Sequence, residues 1–585
     1  MKERLLNPVS VLLAGLALAG AGATGFFPGL IFESFGRMAY ALMYVLVFFW
    51  VLVLCRAWRH AGLSFRYLLT RYGPGILFAI AISAVIFISN PPYLRVLSDE
   101  SGLVSVSQSM AQMRTADTLP EAFQIGFKLV PVTVLIPIRP LLFPFLVHFL
   151  HGLWGYHVWN AFLLNFILLA VFLFLIWVPF ERAYGFPWNY LAVLFVAAQP
   201  AIAESAASAG FDLCSLLLLW VCFLSLKLFL SSRDAPSFQL LWIHLLLFAN
   251  VRYESILLAA FVLGALLLTG HLRKEYFRSS WLFAWTPILL LPTLWQRLLA
   301  PSPYLQLKNA VPFSWTYFIE HTQSFFAHLI ASEKFVSSAS IINLLGLGGL
   351  VTYGILFFAS KWALRSEDRL IGRIAWLWAL AQWILLCAFY YGEVTSPGTW
   401  RLFLPYFLAL SLAAVLFLRY LRIPERRHIP LLIVGFLVFF LYHTLPAQHG
   451  LTNKINLPRR LRVELDFLKQ YPTRDIVVIT DRPGHLTIYG YGALTFVSAE
   501  NFKKKVLDNY ARFLHEHIFI VQEISLKDGK TKEETTLASD WPAEIVFQKQ
   551  FTPTELLRIS RVKRPAGKTE DGKPLPAVST RKDLA

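Results

Sequence analysis

Long apolar runs recur along this chain and decide what kind of fold it can adopt. Runs of about 16 to 22 mostly hydrophobic residues, each long enough to cross a bilayer as a helix, continue to about residue 445. We place spans at about 9–31, 38–55, 75–89, 157–178, 190–208, 213–230, 281–299, 341–359, 374–391, from 401 onward and at 429–445. Charged residues make up 15% of the chain, against roughly 25% in soluble domains. The sequence therefore predicts an α-helical polytopic membrane protein.

The charges of the chain follow the same pattern. The net charge is +18, but most Lys and Arg residues lie in short links between apolar runs, such as the link with Arg56, Arg59, Arg66 and Arg71. Basic links of this kind stay in the cytoplasm, so they indicate topology rather than nucleic-acid binding. We expect about 13 spans, with the N-terminus inside and the C-terminus outside. The first run lacks a small-residue cleavage site and predicts an anchor rather than a removed signal peptide.

The apolar pattern is interrupted at Arg252 and Tyr253. FQLLWIHLLLFAN precedes the interruption and ESILLAAFVLGALLLTG follows it, with basic residues beyond both ends. Two interpretations remain open: a hairpin of two short helices with Arg252 at its tip, which the basic ends favour, and one long tilted helix. A charged residue at membrane depth needs shielding by protein or a wet cavity, so Arg252 is a candidate functional residue.

An acidic outer loop, residues 90–156, separates the third span from the next one. It carries the adjacent acids Asp99 and Glu100, passes Lys128 and Arg139, and returns through LLFPFLVHFLHGLWG. We expect this returning stretch, which a proline interrupts, to lie in the membrane interface. Carboxylates at a membrane edge are costly, and they therefore suggest a function. They also suit the positive end of the helix that follows, so a helix-capping role remains open.

On the predicted topology, charged side chains from separate spans lie at or near the outer face. They are Asp99, Glu100, Lys128, Arg139, Asp212 and Arg401. A carboxylate beside an acceptor hydroxyl can act as a general base, and Arg or Lys can hold a phosphate leaving group. Structural alternatives remain open, since Asp212 could be a helix N-cap, and Arg139 and Arg401 could be interfacial arginines that mark span ends.

The character of the sequence changes after residue 445. Segment 446–562 combines the helical patterns RRLRVELDFLKQY and AENFKKKVLDNYARFL with the strand patterns DIVVITD, HIFIVQEISL and AEIVFQKQF. HLTIYGYGALTFVS predicts one or two further strands, and TELLRISRV closes the segment. We therefore expect a transmembrane domain in residues 1–445, a small extracytoplasmic α/β domain in 446–562, and a disordered tail in 563–585. His515 and His517 do not share a helix face, so we expect them to be solvated.

The order of these polar motifs resembles the C-type (GT-C) superfamily of multi-pass glycosyltransferases, which includes protein O-mannosyltransferases and lipid A aminoarabinose transferases. The similar segments are LSDESGLVSVSQSM with Asp99 and Glu100, IRPLLFPFLVHFLHGLWG with Arg139, SAGFDLCSLLLL with Asp212, NVRYES with Arg252 and Tyr253, and WRLFLPYF with Arg401. Together they cover roughly residues 75–445. Three features depart from the family pattern: two spans precede the acidic loop, Leu141 replaces a usual second proline, and Val104 replaces a frequent aromatic residue.

The resemblance implies an inverting glycosyltransferase of a bacterial inner (plasma) membrane. It would move a sugar from a polyprenyl-phosphate donor to a lipid, glycan or protein acceptor on the extracytoplasmic side of the bilayer. It implies catalytic roles for Asp99, Glu100 and Asp212, with Asp99 first, and donor-phosphate contacts for Lys128, Arg139, Arg252, Tyr253 and Arg401.

Other readings of the same residues remain open. Asp99, Glu100 and Asp212 could together hold a hard divalent metal ion through oxygen atoms. The four cysteines lie in or beside apolar runs without CxxC spacing, which predicts neither disulfides nor a zinc site. A transporter or flippase for a polyprenyl lipid would also need charged residues at a cavity, but it would more often show repeated halves. A non-catalytic relative that binds a glycan or an assembly partner could retain the acids as relics.

Overall fold

The chain folds into two compact units. The computed structural model describes residues 15–565, with gaps at 17, 21, 23–26, 63, 96, 126–127, 274, 277–280, 301–310, 331–336, 360–365, 395–398, 422–428 and 445–455. The first unit, called the membrane unit, contains the described residues up to Ala116 and those from Ile136 to Thr444. The second, called the sheet unit, contains Asp117–Leu135 and the described residues from Asn456 onward.

The membrane unit is helical. Its helices are α1 Pro28–His60, α2 Phe65–Ser89, α3 Leu97–Gln112, α4 Leu142–Trp154, α5 Trp159–Ala183, α6 Trp188–Ala197, α7 Pro200–Ala206, α8 Asp212–Ser232, α9 Ala235–Ala249, α10 Ile256–Leu268, α11 Trp281–Leu299, α12 Trp315–Ile330, α13 Ser337–Ala359, α14 Ser366–Ala388, α15 Leu404–Tyr420 and α16 Ile429–Phe439. Among the described residues, six helices are long and apolar enough to cross a membrane: Gly29–His60, Phe65–Ser89, Trp159–Ala183, Asp212–Ser232, Ser366–Ala388 and Trp400–Tyr420. Shorter apolar helices accompany them, so the prediction of an α-helical membrane protein is confirmed.

Some predicted element boundaries are wrong. The expected break between residues 31 and 38 is absent, because α1 runs through it: one Gly and scattered polar residues do not end a helix that contains no interior proline. Most of the predicted first span, 9–31, lies outside the described residues. The expected loop after residue 299 contains the helix α12. Pro144 does not interrupt α4, because it lies in the first turn, where a missing N–H is harmless.

Two other interruptions of the apolar pattern shape the membrane unit. The predicted span 190–208 consists of two helices, and the second one begins at Pro200, whose ring cannot continue the hydrogen bonds of the first. The break at Arg252 is confirmed, since α9 ends at Ala249 and a 3₁₀ turn, Tyr253–Ser255, leads into α10. Both breaks bring polar backbone and side chains into an otherwise apolar helical unit.

The helix that begins just after Arg401 is held by a close contact between backbones. A side chain at Gly346 or Gly349 of α13 would meet the carbonyl oxygens of Leu410 or Ala413 at 2.4 and 2.3 Å. Glycine spacing of this kind lets two membrane helices approach closely and pack along their backbones. This contact fixes α15 against α13 and thereby positions the turn that carries Arg401.

The sheet unit contains one seven-stranded mixed sheet. Its strands are β1 Thr118–Ile125, β2 Lys128–Leu135, β3 Ile476–Ile479, β4 Gly492–Leu494, β5 His517–Ser525, β6 Ala543–Thr552 and β7 Glu555–Val562. The strand order is β2-β1-β4-β3-β5-β7-β6, with β4, β3 and β5 parallel and the remaining pairs antiparallel. The helices α17 Asn456–Leu468, α18 Gly484–Thr487, α19 Phe496–Asn501 and α20 Lys503–Ala511 complete it.

The sheet confirms the predicted small α/β architecture but includes a hairpin from far upstream. The central strand β3 reads IVVI and is fully buried, as expected for a parallel strand covered on both faces. The hairpin β1–β2, taken from the outer loop 90–156, joins the sheet through Ala122, which pairs with Ala493. The unit therefore adds residues 117–135 to the predicted segment 446–562. The predicted disordered tail, 563–585, lies outside the described residues from residue 566 onward.

Candidate active site

Asp99 lies at the centre of a cluster of ion pairs in the membrane unit. Arg139 donates hydrogen bonds to the Asp99 carboxylate from two nitrogens. Its Nη2 lies 2.9 Å from Oδ1 and 3.0 Å from Oδ2, and its Nε lies 3.2 Å from Oδ1. Arg401 donates a further hydrogen bond to Oδ2 through Nη2. Charge-assisted contacts of this fork geometry are among the strongest that a protein forms.

Asp212 continues the cluster on the other side of Arg401. Its Oδ2 lies 3.3 Å from Arg401 Nη1, and its Oδ1 lies 3.5 Å from Arg252 Nη1. Arg252 also pairs through Nε with Glu254 at 2.7 Å. Three arginines and three acids thus form a continuous chain of ion pairs that runs from Arg139 to Glu254.

Local structure explains where each of these side chains comes from. Asp99 lies in the first turn of α3 and Asp212 is the first residue of α8, so both carboxylates suit the positive end of a helix. The N-cap of α8 is Phe211, so the prediction that Asp212 could be a helix N-cap is wrong. Arg401 lies in the 3₁₀ turn Trp400–Phe403 before α15. Arg252 occupies the break between two short helices. The helix-end position and the ion pairs coexist, so capping alone does not account for the arrangement.

Exposure differs along the cluster. The side chain of Asp212 is 4% exposed and that of Arg401 is 13% exposed, whereas that of Arg139 is 39% exposed. A buried ion pair is rigid and costly to break, but an exposed guanidinium can change partners. Arg139 is therefore the member of the cluster that can turn most readily toward a ligand.

Glu100 has a different role from its neighbour. It is 2% exposed, and its Oε2 accepts the backbone N–H groups of Arg95 at 3.0 Å and of Ala209 at 3.2 Å. These two donors lie in the segments that lead to Asp99 and to Asp212. Glu100 therefore ties together the two loops that present the aspartates.

The segment before Arg139 is anchored by three contacts. Tyr253 donates its hydroxyl hydrogen to the carbonyl of Ile138 at 2.7 Å. Gln296 Nε2 donates to the carbonyls of Pro137 at 3.1 Å and of Arg139 at 2.8 Å. Tyr253, predicted to contact a donor phosphate, thus uses its hydroxyl to fix the backbone that carries Arg139.

A second buried ion pair escaped the sequence interpretation. Arg95 Nη1 lies 3.5 Å from Glu204 Oε2, and both side chains are 6% exposed. The Arg95 guanidinium also lies over the ring of Tyr93, at 5.0 Å from its centroid. An acid inside an apolar run is a recognisable signal for such a partner, and Glu204 lies within the predicted span 190–208.

Lys128, predicted to contact a donor phosphate, is not among the residues of the membrane unit. Lys128 is an exposed residue at the start of β2 and belongs to the sheet unit. The contacts also disfavour the metal site considered from sequence, because Arg401 binds both aspartates and Glu100 binds backbone N–H groups. Within the part of the chain that is described, no group of three or more His, Cys, Asp or Glu side chains is placed to hold a metal ion.

Asp99 is held in its ionised form. Burial would raise the pKa of its carboxyl, but Arg139 and Arg401 outweigh that effect and hold the pKa below its usual range. A carboxylate held in this way is a weak base while both arginines bind it. Loss of either arginine to another anion would raise its basicity.

A narrow pocket adjoins the buried end of the cluster. Asp212, Arg252 and Glu254 line it together with Trp378 and Gln382 of α14. The side-chain oxygen of Gln382 is buried and has no hydrogen-bond partner among the described residues. The pocket therefore presents polar groups and an indole ring immediately beside the charged residues.

Comparison with solved structures identifies the fold. The crystal structure of ArnT from Cupriavidus metallidurans in the apo state covers 84% of this chain and 98% of the ArnT chain, with a TM-score of 0.50 and 14% sequence identity. The chain has the ArnT fold. A second ArnT structure from the same organism, bound to undecaprenyl phosphate, covers 83% of this chain and 98% of the ArnT chain, with a TM-score of 0.49 and 13% identity.

Sequence comparison adds no closer relative. No family model matches the chain, and no curated protein matches it. The fold agrees with the resemblance that the polar motifs carry.

Proposed function

We propose that this chain is a membrane glycosyltransferase that moves a sugar from a polyprenyl-phosphate donor to a lipid, glycan or protein acceptor on the extracytoplasmic face. The proposal rests on one observation: Asp99 and Asp212 are bound to one guanidinium, Arg401, beside an exposed Arg139. This arrangement combines a carboxylate base with cations for a phosphate leaving group. The ArnT fold supports the architecture on which such a site is built.

The proposed reaction uses the exposed arginine first. The donor phosphate competes with Asp99 for Arg139, whose side chain is the most exposed of the three arginines in the cluster. As Arg139 turns to the phosphate, Asp99 loses part of the positive charge that lowers its pKa. Donor binding would thereby convert a weak base into a stronger one next to the reacting group.

The sugar is then transferred in a single displacement at its anomeric carbon. The acceptor hydroxyl gives its proton to the Asp99 carboxylate while its oxygen attacks the anomeric carbon of the sugar. The bond between that carbon and the phosphate oxygen breaks, so the configuration at the carbon inverts. The polyprenyl phosphate leaves with its electron pair, and Arg139 with Arg401 stabilises the added negative charge.

Release of free polyprenyl phosphate tests the proposal. Purified protein in nanodiscs is incubated with a lipid extract of bacterial membranes, which supplies polyprenyl-phosphate sugars as donors and hydroxyl-bearing lipids and glycans as acceptors. Free undecaprenyl phosphate is then measured by mass spectrometry. We expect release by the wild type and its loss in Asp99→Asn. Asp368→Asn is the matched control, because Asp368 forms a surface ion pair with Lys227 outside the cluster. Equal release by wild type and Asp99→Asn, or none by the wild type with any donor, would overturn the proposal.

A further inference from the structure

A polar stripe lies on the lipid-facing side of α1, away from the Asp99 cluster. Arg37, Tyr40, Tyr44 and Phe48 follow one another at spacings of three and four residues, so they share one face of the helix. Arg37 is exposed, while Tyr44 is 40% and Phe48 59% exposed. Polar groups on an exposed face of a membrane helix need an external partner that tolerates apolar surroundings.

The two tyrosines converge on one imidazole from another helix. The hydroxyl of Tyr44 lies 2.9 Å and that of Tyr40 3.3 Å from Nε2 of His148 in α4, and the two hydroxyls lie 3.2 Å apart. A single ring nitrogen offers one position for a hydrogen bond, so only one of the two hydroxyls can use it at a time. The other hydroxyl can donate to the oxygen of a ligand.

A second guanidinium approaches the stripe from the end of α3. Arg114 is exposed and acts electrostatically on the Tyr40 hydroxyl. Its backbone has a φ of 58°, in the left-handed region that is unfavourable for a non-glycine residue. Two residues later, Ala116 N–H donates to the carbonyl of Gly36 at 2.9 Å, which holds this turn against α1. Among the described residues, neither Arg37 nor Arg114 forms an ion pair.

The depth of the stripe matches a membrane boundary. Arg56 and Arg59 lie near the other end of α1, and the helical rise puts Arg37 about 28 Å from Arg56. This separation is close to the roughly 30 Å thickness of the hydrocarbon core, so the two groups of arginines mark opposite boundaries. Glu33, one turn beyond Arg37, is exposed and would lie further out.

Apolar surface continues from the polar groups into the bilayer. Phe48 lies one turn below Tyr44, and the ring of Phe149 in α4 lies 5.9 Å from that of Tyr44. Phe149 is itself 38% exposed. A ligand for this surface needs a negative head with hydrogen-bond acceptors and an apolar tail, which excludes a free phosphate ion.

We propose that Arg37, Tyr40, Tyr44, Arg114 and His148 bind the phosphate of an anionic bilayer phospholipid whose acyl chains lie along Phe48 and Phe149. The site is separate from the Asp99 cluster, because α3 runs for about 20 Å from Asp99 to Gln112, two residues before Arg114. It takes a lipid of the surrounding membrane rather than the sugar donor. The proposal does not depend on the chemistry assigned to Asp99.

Native mass spectrometry of the purified full-length protein tests this site. Phosphatidylglycerol, phosphatidylethanolamine and undecaprenyl phosphate are titrated separately into wild type, into the double variant Arg37→Gln/Arg114→Gln, and into Tyr44→Phe. The double variant Arg59→Gln/Arg66→Gln is the matched control, because it also loses two exposed arginines. We expect wild type to retain phosphatidylglycerol better than phosphatidylethanolamine. Arg37→Gln/Arg114→Gln should weaken phosphatidylglycerol binding about tenfold, Tyr44→Phe less, and the control little.

Each other outcome decides against the proposal. Equal retention of phosphatidylglycerol in all variants would show that the stripe is an ordinary interfacial belt. If wild type bound phosphatidylethanolamine as well as phosphatidylglycerol, the arginines would not select an anionic lipid. Loss of undecaprenyl phosphate alone would assign the site to the donor. If Arg37→Gln/Arg114→Gln does not fold, Tyr44→Phe decides, since it removes one hydroxyl from an exposed ring and keeps the packing.

Discussion

Asp99 and Asp212 share a single guanidinium, because Arg401 binds Asp99 through Nη2 and lies 3.3 Å from Asp212 through Nη1. Two carboxylates held by one cation respond to each other, since a change at either alters the charge available to the other. The site therefore acts as one electrostatic unit rather than as separate acids. We therefore expect substitutions of its residues to affect turnover, lipid binding and stability differently, depending on the burial and the partners of each side chain.

The first prediction concerns the proposed base. Asp99→Asn keeps the size of the side chain but removes its charge, so turnover should fall by at least about 100-fold, the usual range for general-base loss being 10²–10⁴. Binding of undecaprenyl phosphate should persist, because Arg139 and Arg401 remain. Donor turnover and lipid binding are measured side by side. A variant with near wild-type turnover would leave Asp99 as a helix cap and shift attention to Asp212.

The second prediction separates the exposed arginine from the buried one. Arg139→Gln should weaken binding of undecaprenyl phosphate about tenfold with little change in melting temperature, because the side chain is 39% exposed. Arg401→Gln should also lower the melting temperature, since it removes the common partner of Asp99 and Asp212. Breaking a buried pair costs about 3 kcal/mol or more.

Both variants are compared by lipid titration and by thermal unfolding in the same detergent. Arg66→Gln is the control, because it loses an exposed arginine elsewhere in the membrane unit. Identical stability of Arg139→Gln and Arg401→Gln would contradict the different burial of the two side chains.

The third prediction tests Glu100 as a positioning residue. Glu100→Gln keeps an oxygen that can accept the N–H groups of Arg95 and Ala209, so turnover should stay within about tenfold of wild type. Glu100→Ala leaves two buried N–H donors without a partner, at about 1–3 kcal/mol each, and should lower both turnover and stability. The measurement is the ratio of turnover in Glu100→Gln to turnover in Glu100→Ala. Equal losses in Gln and Ala would restore a role for the charge of Glu100, as base or metal ligand.

The fourth prediction is a pH dependence in the sheet unit. His515 is buried, so the expectation that it is solvated is wrong. Burial lowers the pKa of His515 to about 4, and burial together with Arg482 and Arg460 lowers the pKa of His485 to about 4. Both values lie below the unfolded pKa of about 6.5, so the unfolded state binds more protons between pH 6.5 and 4. Stability of the sheet unit is therefore complete above pH 6.5 and is lost as the pH falls through this window.

Hydrogen exchange at β3 and β5 measures this effect in the intact protein, after correction for the intrinsic exchange rate at each pH. Protection should decrease from pH 7.5 to pH 5. The slope of protection against pH should be smaller in His485→Asn and in His515→Asn than in wild type. Slopes are compared rather than absolute stabilities, because both substitutions can weaken packing. An unchanged slope in both variants would exclude the two histidines as its source.

The fifth prediction concerns topology. The basic links predict an odd number of spans, which puts the C-terminal domain outside the cytoplasm. A reporter that is active only in the cytoplasm, fused after Val562, should stay inactive, whereas the same reporter at Gly62, in the basic link after α1, should be active. Activity at Val562 would overturn the topology.

The sequence predicted those parts that depend on local pattern. Apolar length located most membrane helices, and charged residues at their ends identified Asp99, Arg139, Asp212, Arg252 and Arg401, which the structure brings together. Such residues are recognisable because a charge beside an apolar run is unfavourable without a partner.

The hydrogen-bond partners of individual side chains could not be predicted from the sequence pattern. Glu100 follows Asp99 directly, yet its carboxylate turns to the backbone of Arg95 and Ala209. Tyr253 donates its hydroxyl hydrogen to the carbonyl of Ile138. Neither contact has a sequence period, because each joins segments that are distant along the chain.

The upstream hairpin of the sheet unit has a consequence for how the protein is made. β1 leaves the ribosome long before β4, its partner in the sheet, so Ala122 and Ala493 can pair only after nearly the whole chain has been synthesised. Until then β1 has an open edge, which is a site for mispairing or for recruitment of a chaperone. A chain terminated early would therefore lose more than its last domain: it would also leave β1 and β2 without the sheet they belong to.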